Sequence, residues 1–282
     1  MTIKHLITLF FFSAAILLNS PHSLAAEHEG NDERESEFRW QLSAGLFALD
    51  MNMPKLVGTD SRFRGFTPLA DITVEYKNFY VDSKLGDFYG GSDIGYQWIV
   101  EPDWGIDIIY GNYQLPFDET GYFNVEGDLP VPELRGIRKR ESDQSFGLSY
   151  YRTYGNFQTS VEVVYDLLGD TKGWVIHAEA TRNFELRNWD LWLNFGVNYY
   201  SQNFQNYFYG VTQEEVRANR PYFEAKASAS AFLQFELNHP ISESWVFSSG
   251  ASLIWGLSNI QDSPLVERNY ARVLFIGAKY VF

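Results

Sequence analysis

The sequence predicts an all-β fold, a transmembrane antiparallel β-barrel of twelve strands that follows a cleaved signal peptide. Three observations carry the prediction. Apolar residues recur at every second position over segments of about ten residues, as in strands with one face toward lipid and the other toward a lumen. The chain is 45% hydrophobic and 17% aromatic, yet its mean hydropathy is −0.26 and nothing in it approaches the run of about 20 apolar residues that a spanning helix needs. The connections between segments alternate between short and long, as an up-and-down barrel requires.

The apolar run from Leu6 to Leu18 is interrupted by Thr8 and Ser13. Lys4 precedes it, and the small residues of Ser23-Leu24-Ala25 suit a cleavage site, so residues 1–25 read as a secretory signal peptide. Residues 26–39 follow as a flexible periplasmic tail, because Glu27 to Glu37 carries six acids and Arg34 with no apolar residue. The barrel occupies residues 40–282. Without the leader and its single lysine, 21 basic residues face 36 acidic ones, a charge of −15 that repels nucleic acid phosphates. The absence of cysteine excludes disulfides, thiolate metal sites and cysteine nucleophiles, and nothing in the sequence points to a cofactor.

The outward sets begin with Trp40, Leu42, Ala44, Leu46 and Ala48. They continue with Ala70, Ile72, Val74 and Tyr76; with Phe79, Val81 and Leu85; and with Ile94, Tyr96, Trp98 and Val100. Then come Trp104, Ile106, Ile108 and Tyr110; Phe146, Leu148, Tyr150 and Tyr154; Phe157, Val161, Val163 and Tyr165; and Trp174, Ile176, Ala178, Ala180 and Phe184. The last four sets are Trp189 to Tyr199, Ala225 to Phe235 including Ala227, Trp245 to Trp255, and Leu274 to Phe282, each on alternate positions. An even count lets both termini share one side of the membrane.

Lys77-Asn78, Glu101 to Asp103, Gly155-Asn156, Glu185 to Asn188 and Asn238 to Ser244 are short and read as periplasmic turns. Met51 to Thr67, Leu115 to Ser142, Ser201 to Arg220 and Leu257 to Asn269 are long and rich in Gly, Pro and charge, with shorter members at Gly86 to Ser92 and Leu168 to Gly173. These read as extracellular loops.

Every strand carries an outward aromatic at or near its periplasmic end: Trp40, Tyr76, Phe79, Trp98, Trp104, Tyr154, Phe157, Phe184, Trp189, Phe235, Trp245 and Tyr280. That recurrence predicts an interfacial girdle. It suits a lipid boundary better than a soluble sandwich, where the apolar parity would be buried inside. The last strand places Leu274, Ile276, Ala278, Tyr280 and the terminal Phe282 on one parity, similar to the signal read by the outer-membrane barrel assembly machinery.

The opposite parity faces the lumen and is acidic: Asp71, Glu75, Asp82, Asp93, Asp107, Glu162, Asp166, Glu179 and Glu236, against Lys84, Lys226 and Lys279. An open lumen of this kind favours cations, whereas Tyr80, Tyr151, Trp192 and Phe232 on the same parity narrow it. The acids show no metal-ligand spacing and read as a solvated wall. Of the five histidines, only His177 lies within a predicted strand, beside Glu179 and without a Ser-His pair facing lipid, so no catalytic residue is assigned and a lumenal hydrogen bond is its expected role. The basic cluster Arg135, Arg138, Lys139 and Arg140 suits either lipopolysaccharide phosphates or the nearby acids Asp118, Glu119, Glu126, Asp128 and Glu133.

Asn203 to Val211 (NFQNYFYGV), followed by Thr212-Gln213-Glu214-Glu215, resembles the Tyr-Tyr/Phe-Gly-Val loop of the MltA-interacting protein (MipA)/OmpV family. Asp262-Ser263-Pro264-Leu265-Val266 resembles that family's Asp-Ser-Pro-(Ile/Leu)-Val loop, and Tyr222-Phe223-Glu224-Ala225 and Gly277 to Phe282 are also in place. The resemblance implies a non-enzymatic scaffold in the outer membrane of a Gram-negative bacterium, associated with a peptidoglycan lytic transglycosylase and a bifunctional peptidoglycan synthase. Docking would fall on Glu27 to Glu37, Glu185 to Asn188 and Asn238 to Ser244. A narrow cation-preferring or solute-selective channel, and a surface receptor or adhesin built on the long loops, are the competing expectations.

Overall fold

Alternation of Trp, Tyr, Val, Ile and Leu with Ser, Thr, Asn and acids favours extended chain, because aromatic and β-branched side chains pack well on a pleated surface. The computed structural model describes residues 38–82, 91–122, 129–256 and 259–282. The proposed leader and residues 26–37 of the proposed tail lie outside the described residues, as do Lys84 and Leu85, whereas Phe38 and Arg39, expected in the tail, already belong to the first strand.

Twelve strands form the wall: β1 (Phe38–Asn52), β2 (Arg62–Tyr76), β3 (Phe79–Asp82), β4 (Gly91–Val100), β5 (Trp104–Asn112), β6 (Ser145–Tyr154), β7 (Phe157–Asp166), β8 (Trp174–Leu186), β9 (Trp189–Tyr200), β10 (Ser228–Pro240), β11 (Trp245–Gly256) and β12 (Tyr270–Val281). Each pairs antiparallel with its chain neighbours, and β12 returns to β1 in a continuous register from Ser43↔Val281 to Asn52↔Arg272. The barrel is closed, with β3 as its shortest seam: among the described residues it pairs with Thr73–Tyr76 of β2 and Ile94–Tyr96 of β4. No helix among the described residues is long and apolar enough to cross a membrane.

The faces follow the predicted parity over most of the wall. Leu46, Ile72, Phe146, Val163, Phe195 and Ile276 are exposed, while Phe47, Leu49, Leu69, Val164 and Phe275 on the other parity are buried. Inward glycine makes room for inward rings: a Cβ on Gly196 of β9 would lie 2.4 Å from the Phe232 ring of β10.

β1 and β2 are longer than expected, ending at Asn52 and starting at Arg62, so the expected loop 51–67 narrows to residues 53–61; β4 and β10 also differ. Pairing of β4 with β5 shifts between Gln97 and Ile99, so Ile99 rather than Val100 shares the face of Ile106, and Trp98 sits exposed in the bulge. A second shift lies between Ser92 and Ile94 and contains Asp93, whose side chain is outside what is described. The tenth strand starts at Ser228, not near Ala225. Ala225 is buried under a loop with its N–H bonded to Asn206 Oδ1 at 3.0 Å, and Lys226 is exposed outside any strand, so it does not line the lumen.

The long connections are more ordered than their Gly, Pro and charge content suggests. Gln202–Tyr209 forms helix α1, Gln213–Glu215 a 3-10 turn, and Lys55–Leu56 pairs with Val266–Arg268 across two different loops. Phe204 and Phe208, four residues apart on α1, are both fully buried.

Candidate functional site: a capped polar lumen

At the end of the barrel where the long loops meet, apolar side chains of the loops descend onto the upper wall. Leu56, Leu134, Phe204, Phe208, Val211 and Leu265 form one cluster with Ile109, Tyr113, Val164, Val175 and Tyr200 of the barrel end. The chain can approach so closely because residue 173 has no side chain: a Cβ there would meet Phe204 N and Cβ at 2.6 Å.

A buried ionic knot ties the loops into this cap. Arg140 gives Nη1 to Glu215 Oε1 at 2.9 Å and Nη2 to Glu215 Oε2 at 3.1 Å, a bidentate pair, and its remaining donors reach the Gly210, Phe208 and Arg138 carbonyls. Glu215 also accepts the Arg138 and Thr212 backbone N–H groups. Arg220, equally buried, donates to the carbonyls of Glu215, Glu133 and Arg135. Burial raises the Glu215 pKa, but the Arg140 hydrogen bonds, the two N–H donors and the Arg140 charge override it and hold the carboxyl at about 2. Ser263 Oγ donates to the Tyr209 carbonyl at 2.7 Å and joins the third long loop. The two loop motifs carrying the family resemblance thus meet in the cap.

The basic cluster is therefore split. Arg140 is sequestered with Glu215, a partner that was not among the expected acids, while Arg135, Arg138 and Lys139 stay exposed. Arg138 lies over the Tyr207 ring and Lys139 pairs with Glu141 at 2.8 Å. Asp143, at the cap's base, accepts from Tyr113 N, Gln114 N and Ser145 Oγ; burial nevertheless raises its pKa to about 6, against those bonds.

Below the cap, the predicted acidic residues form a bonded network rather than a solvated wall. Glu162 accepts from Ser92 Oγ at 2.9 Å and Tyr113 O–H at 2.6 Å, Asp107 accepts from Tyr80 O–H at 3.0 Å, and both are buried. Asp166 closes the loop after β7 by accepting from Thr171 and Gly169, so its role is local. His177 binds Asn198 Oδ1 through Nδ1 at 2.6 Å, stacks on Phe232 at 5.7 Å, and has Glu179 at 3.7 Å. Toward the short turns, Glu179 accepts from Ser160 and Asn194, Asp71 from Ser43, and Asp82 from Thr73; Glu75 is half-buried near the rim. Glu236 is buried and accepts from Asn238 at 2.8 Å. Phe47, Phe275, Leu69 and Val273 fill the centre on one side. The interior is blocked at the loop end and polar at the turn end.

The girdle residues all lie on the outer face, with Trp40, Tyr76, Phe79, Trp98, Tyr154 and Trp245 among the most exposed and Trp104, Phe184, Trp189 and Tyr280 half-buried by neighbours; Phe157 and Phe235 lie between these extremes. On β10, however, Phe235 sits well inside the strand. The terminal outward position belongs to His239, which stacks on Trp189 at 4.4 Å and donates Nδ1–H to the Asn188 carbonyl at 2.7 Å. Leu274 and Ile276 also face outward, Trp245 packs edge-on to Tyr280 at 5.5 Å, and Tyr280 packs on Phe282 at 4.8 Å.

A second aromatic belt, which the sequence reading does not assign, lies at the loop end: Tyr110, Phe146, Tyr165 and Trp174 are successive register partners, and Trp255 faces Tyr270. Its signal lay in the same parity at the opposite strand ends. The ten residue steps from Trp245 to Trp255 rise about 33 Å along the strand, which at a tilt of about 40° spans about 25 Å, the height of a lipid-facing band.

A sequence profile of the family described as "MltA-interacting protein MipA" matches residues 51–282. Among curated relatives, Outer membrane protein Omp26La of Vibrio anguillarum is 28% identical over 53% of this chain and 57% of its own length. Outer membrane protein OmpV of Vibrio cholerae is 27% identical over the same shares, and the MltA-interacting protein of Escherichia coli is 24% identical over 57% of this chain and 65% of its own. The chain therefore spans less than two thirds of these relatives' length. The solved OmpT barrel of Vibrio cholerae, 9% identical, covers 89% of this chain and 99% of its own with a TM-score of 0.42, too loose a likeness to transfer anything. A closed barrel with relatives named for the outer membrane locates the chain in the Gram-negative outer membrane.

Proposed function

The chain belongs to the MltA-interacting protein (MipA) family, and from that premise we propose that it is a non-enzymatic docking scaffold, holding a peptidoglycan lytic transglycosylase, and with it a bifunctional synthase, at the periplasmic face of the outer membrane. The name of the Escherichia coli relative supports the first partner.

The observation that carries the proposal is a stapled rim at the turn end. The Trp189–His239 stack and the His239–Asn188 bond join the turns at Leu186–Asn188 and Pro240–Ser244 into one patch. Leu186, the register partner of the girdle residue Trp189, and Ile241, just past the end of β10, stand on it 55% and 59% exposed, apolar side chains at the rim that a docked partner would cover. The cap over the opposite end supports a barrel that anchors rather than conducts. Exposed Arg135, Arg138 and Lys139 on that cap suit lipopolysaccharide phosphates, and the paired Tyr280 and Phe282 suit recognition by the barrel assembly machinery.

The test is capture of a purified wall transglycosylase by the detergent-solubilised barrel. Retention by the native protein and at least a tenfold loss in Leu186→Glu/Ile241→Glu, with heat-modifiable migration preserved, is the expected result. Equal retention by the double variant refutes the rim. The polar, acidic lower lumen favours a second reading, a cation-preferring channel, which requires the cap to open. Open channels in planar bilayers that lose cation preference in Asp107→Asn/Glu162→Gln, with no enzyme retained, would establish the channel in place of the scaffold.

A further inference from the structure

The eight tryptophans all lie among the described residues, and seven stand on the outer face or its rim; Trp192 alone belongs to the inward parity. It stands at the turn-end mouth in a depression it shares with Thr153, Gln158, Thr181, Asn183 and Glu185. An indole on the outer face serves a lipid interface. That reason does not apply inside the mouth.

The wall around Trp192 has an unusual hydrogen-bond balance. Its register partners are Asn183 on β8 and Glu236 on β10, and one pair further in, Asn194 faces Gln234. Asn183 Oδ1, Asn194 Oδ1, Gln234 Oε1 and Glu236 Oε2 are all buried acceptor atoms that receive no hydrogen bond from the protein. Three of these side chains are more than nine-tenths buried: Asn194 at 6%, Gln234 at 3% and Glu236 at 1% exposure. A buried acceptor without a donor is costly, and four on three adjacent strands amount to a surface that asks for donated protons.

The charges around it select the donor. Lys279 of β12 acts electrostatically on Glu236 and Asp71 and offsets part of their charge, so a metal ion or polyamine gains less here than at an unpaired carboxylate cluster. Glu236, Glu179 and Asp71 disfavour an anion. What fits is a neutral molecule that both gives and takes hydrogen bonds and has a flat apolar face for an indole. A pyranose ring meets all three conditions, because its axial C–H groups form the face and its hydroxyls donate to carbonyl or carboxylate oxygens while accepting from an ammonium.

We infer that the turn-end half of the lumen is a binding chamber for a neutral saccharide, with Trp192 as the stacking platform, Asn194, Gln234 and Glu236 as hydroxyl acceptors, and Lys279 as a donor. The cap makes it a dead end, entered from the turns. The inference does not depend on the docking proposal, since it concerns the barrel alone.

The experiment is titration calorimetry on the purified, folded barrel in detergent with neutral glucose-, galactose- and N-acetylglucosamine-based trisaccharides at millimolar concentration. Trigalacturonate and spermidine serve as anionic and cationic comparators. Saturable heat with at least one neutral sugar, and affinity about tenfold weaker in both Trp192→Ala and Gln234→Leu, is the expected result. Fluorescence quenching in the native protein that disappears in Trp192→Phe locates the sugar at the mouth. If Gln234→Leu loses heat-modifiable migration, Trp192→Ala at the open rim decides alone. No heat with any neutral sugar, binding unchanged in Trp192→Ala, or preference for spermidine or trigalacturonate overturns the inference.

Discussion

Replacing Glu215 by alanine is expected to open the loop cap while the barrel below stays closed. The magnitude follows from burial and charge. The Arg140 side chain is 0% exposed and that of Glu215 5% exposed, so the substitution strands a guanidinium away from water. Removing one partner of such a pair costs about 3–5 kcal/mol. The depression of Glu215 from 4.5 to about 2 gives an independent figure of about 3 kcal/mol at neutral pH, and the two agree. A penalty of that size raises the population of the opened cap roughly a hundredfold or more. Hydrogen exchange reads it directly: amides in residues 129–144 and 202–226 lose protection, and trypsin gains access after Arg135, Arg138 and Lys139, while the strand amides and heat-modifiable migration are unchanged. Arg140→Met/Glu215→Leu removes both charges and is expected to recover most of the protection. Unchanged exchange in Glu215→Ala, or loss of the cap and barrel together, refutes the argument that the knot holds a separable cap.

Three further outcomes follow from the same geometry. The cap has its own pH dependence: the Glu215 contribution is fully present above 4.5 and lost as pH falls through about 2, whereas the Asp143 contribution is fully present below 3.8 and lost as pH rises through about 6. Exchange protection of the cap, corrected for intrinsic rates, should therefore rise from pH 7 to about 4.5 and fall at lower pH; a monotonic rise with pH contradicts the assignment. Gly173→Ala forces a methyl against Phe204 and should cost the cap about 1–3 kcal/mol, visible as faster exchange in α1 with no change in barrel migration. Val163 is 52% exposed at mid-strand, where a water-facing site tolerates charge but a lipid-facing one does not. Val163→Lys should destabilise the barrel by about 2–4 kcal/mol in urea titrations from bilayers, and a neutral outcome speaks against lipid at that face.

The wall was legible in the sequence because a period of two leaves a mark at every residue. Trp245, Phe247, Ala251, Leu253 and Trp255 announce both the strand and its outer face. What the pattern missed was nonlocal or changed its count by one. The bulge at Trp98 inserts a single residue and shifts the parity of Ile99 and Val100, and no residue type there signals it. Ala225 and Ala227 continue the alternation of the next strand, yet small apolar residues suit loop packing equally, and Ala225 is held by Asn206 instead. Arg140 and Glu215 are separated by 75 positions, so neither charge pattern nor spacing could pair them. The helix at Gln202–Tyr209 carries four aromatics and two asparagines, poor helix formers whose ordering comes from burying Phe204 and Phe208. Of the lumen chemistry, the acids are visible in the sequence, but their hydrogen bonds to Tyr80, Tyr113 and Ser92 join positions 27 to 70 residues apart and leave no local pattern.

The barrel is closed at its loop end and open at its turn end, and the lack of native cysteine allows this to be tested residue by residue. Gln158 lines the turn-end mouth, and Gln158→Cys places one thiol there without touching the cap. A maleimide carried on a polymer too large to cross the outer membrane is applied to intact cells and to cells whose outer membrane has been permeabilised. Labelling only after permeabilisation is the expected result. Equal labelling in intact cells means that the lumen is open to the outside past the Arg140–Glu215 cap, and contradicts a closed loop end.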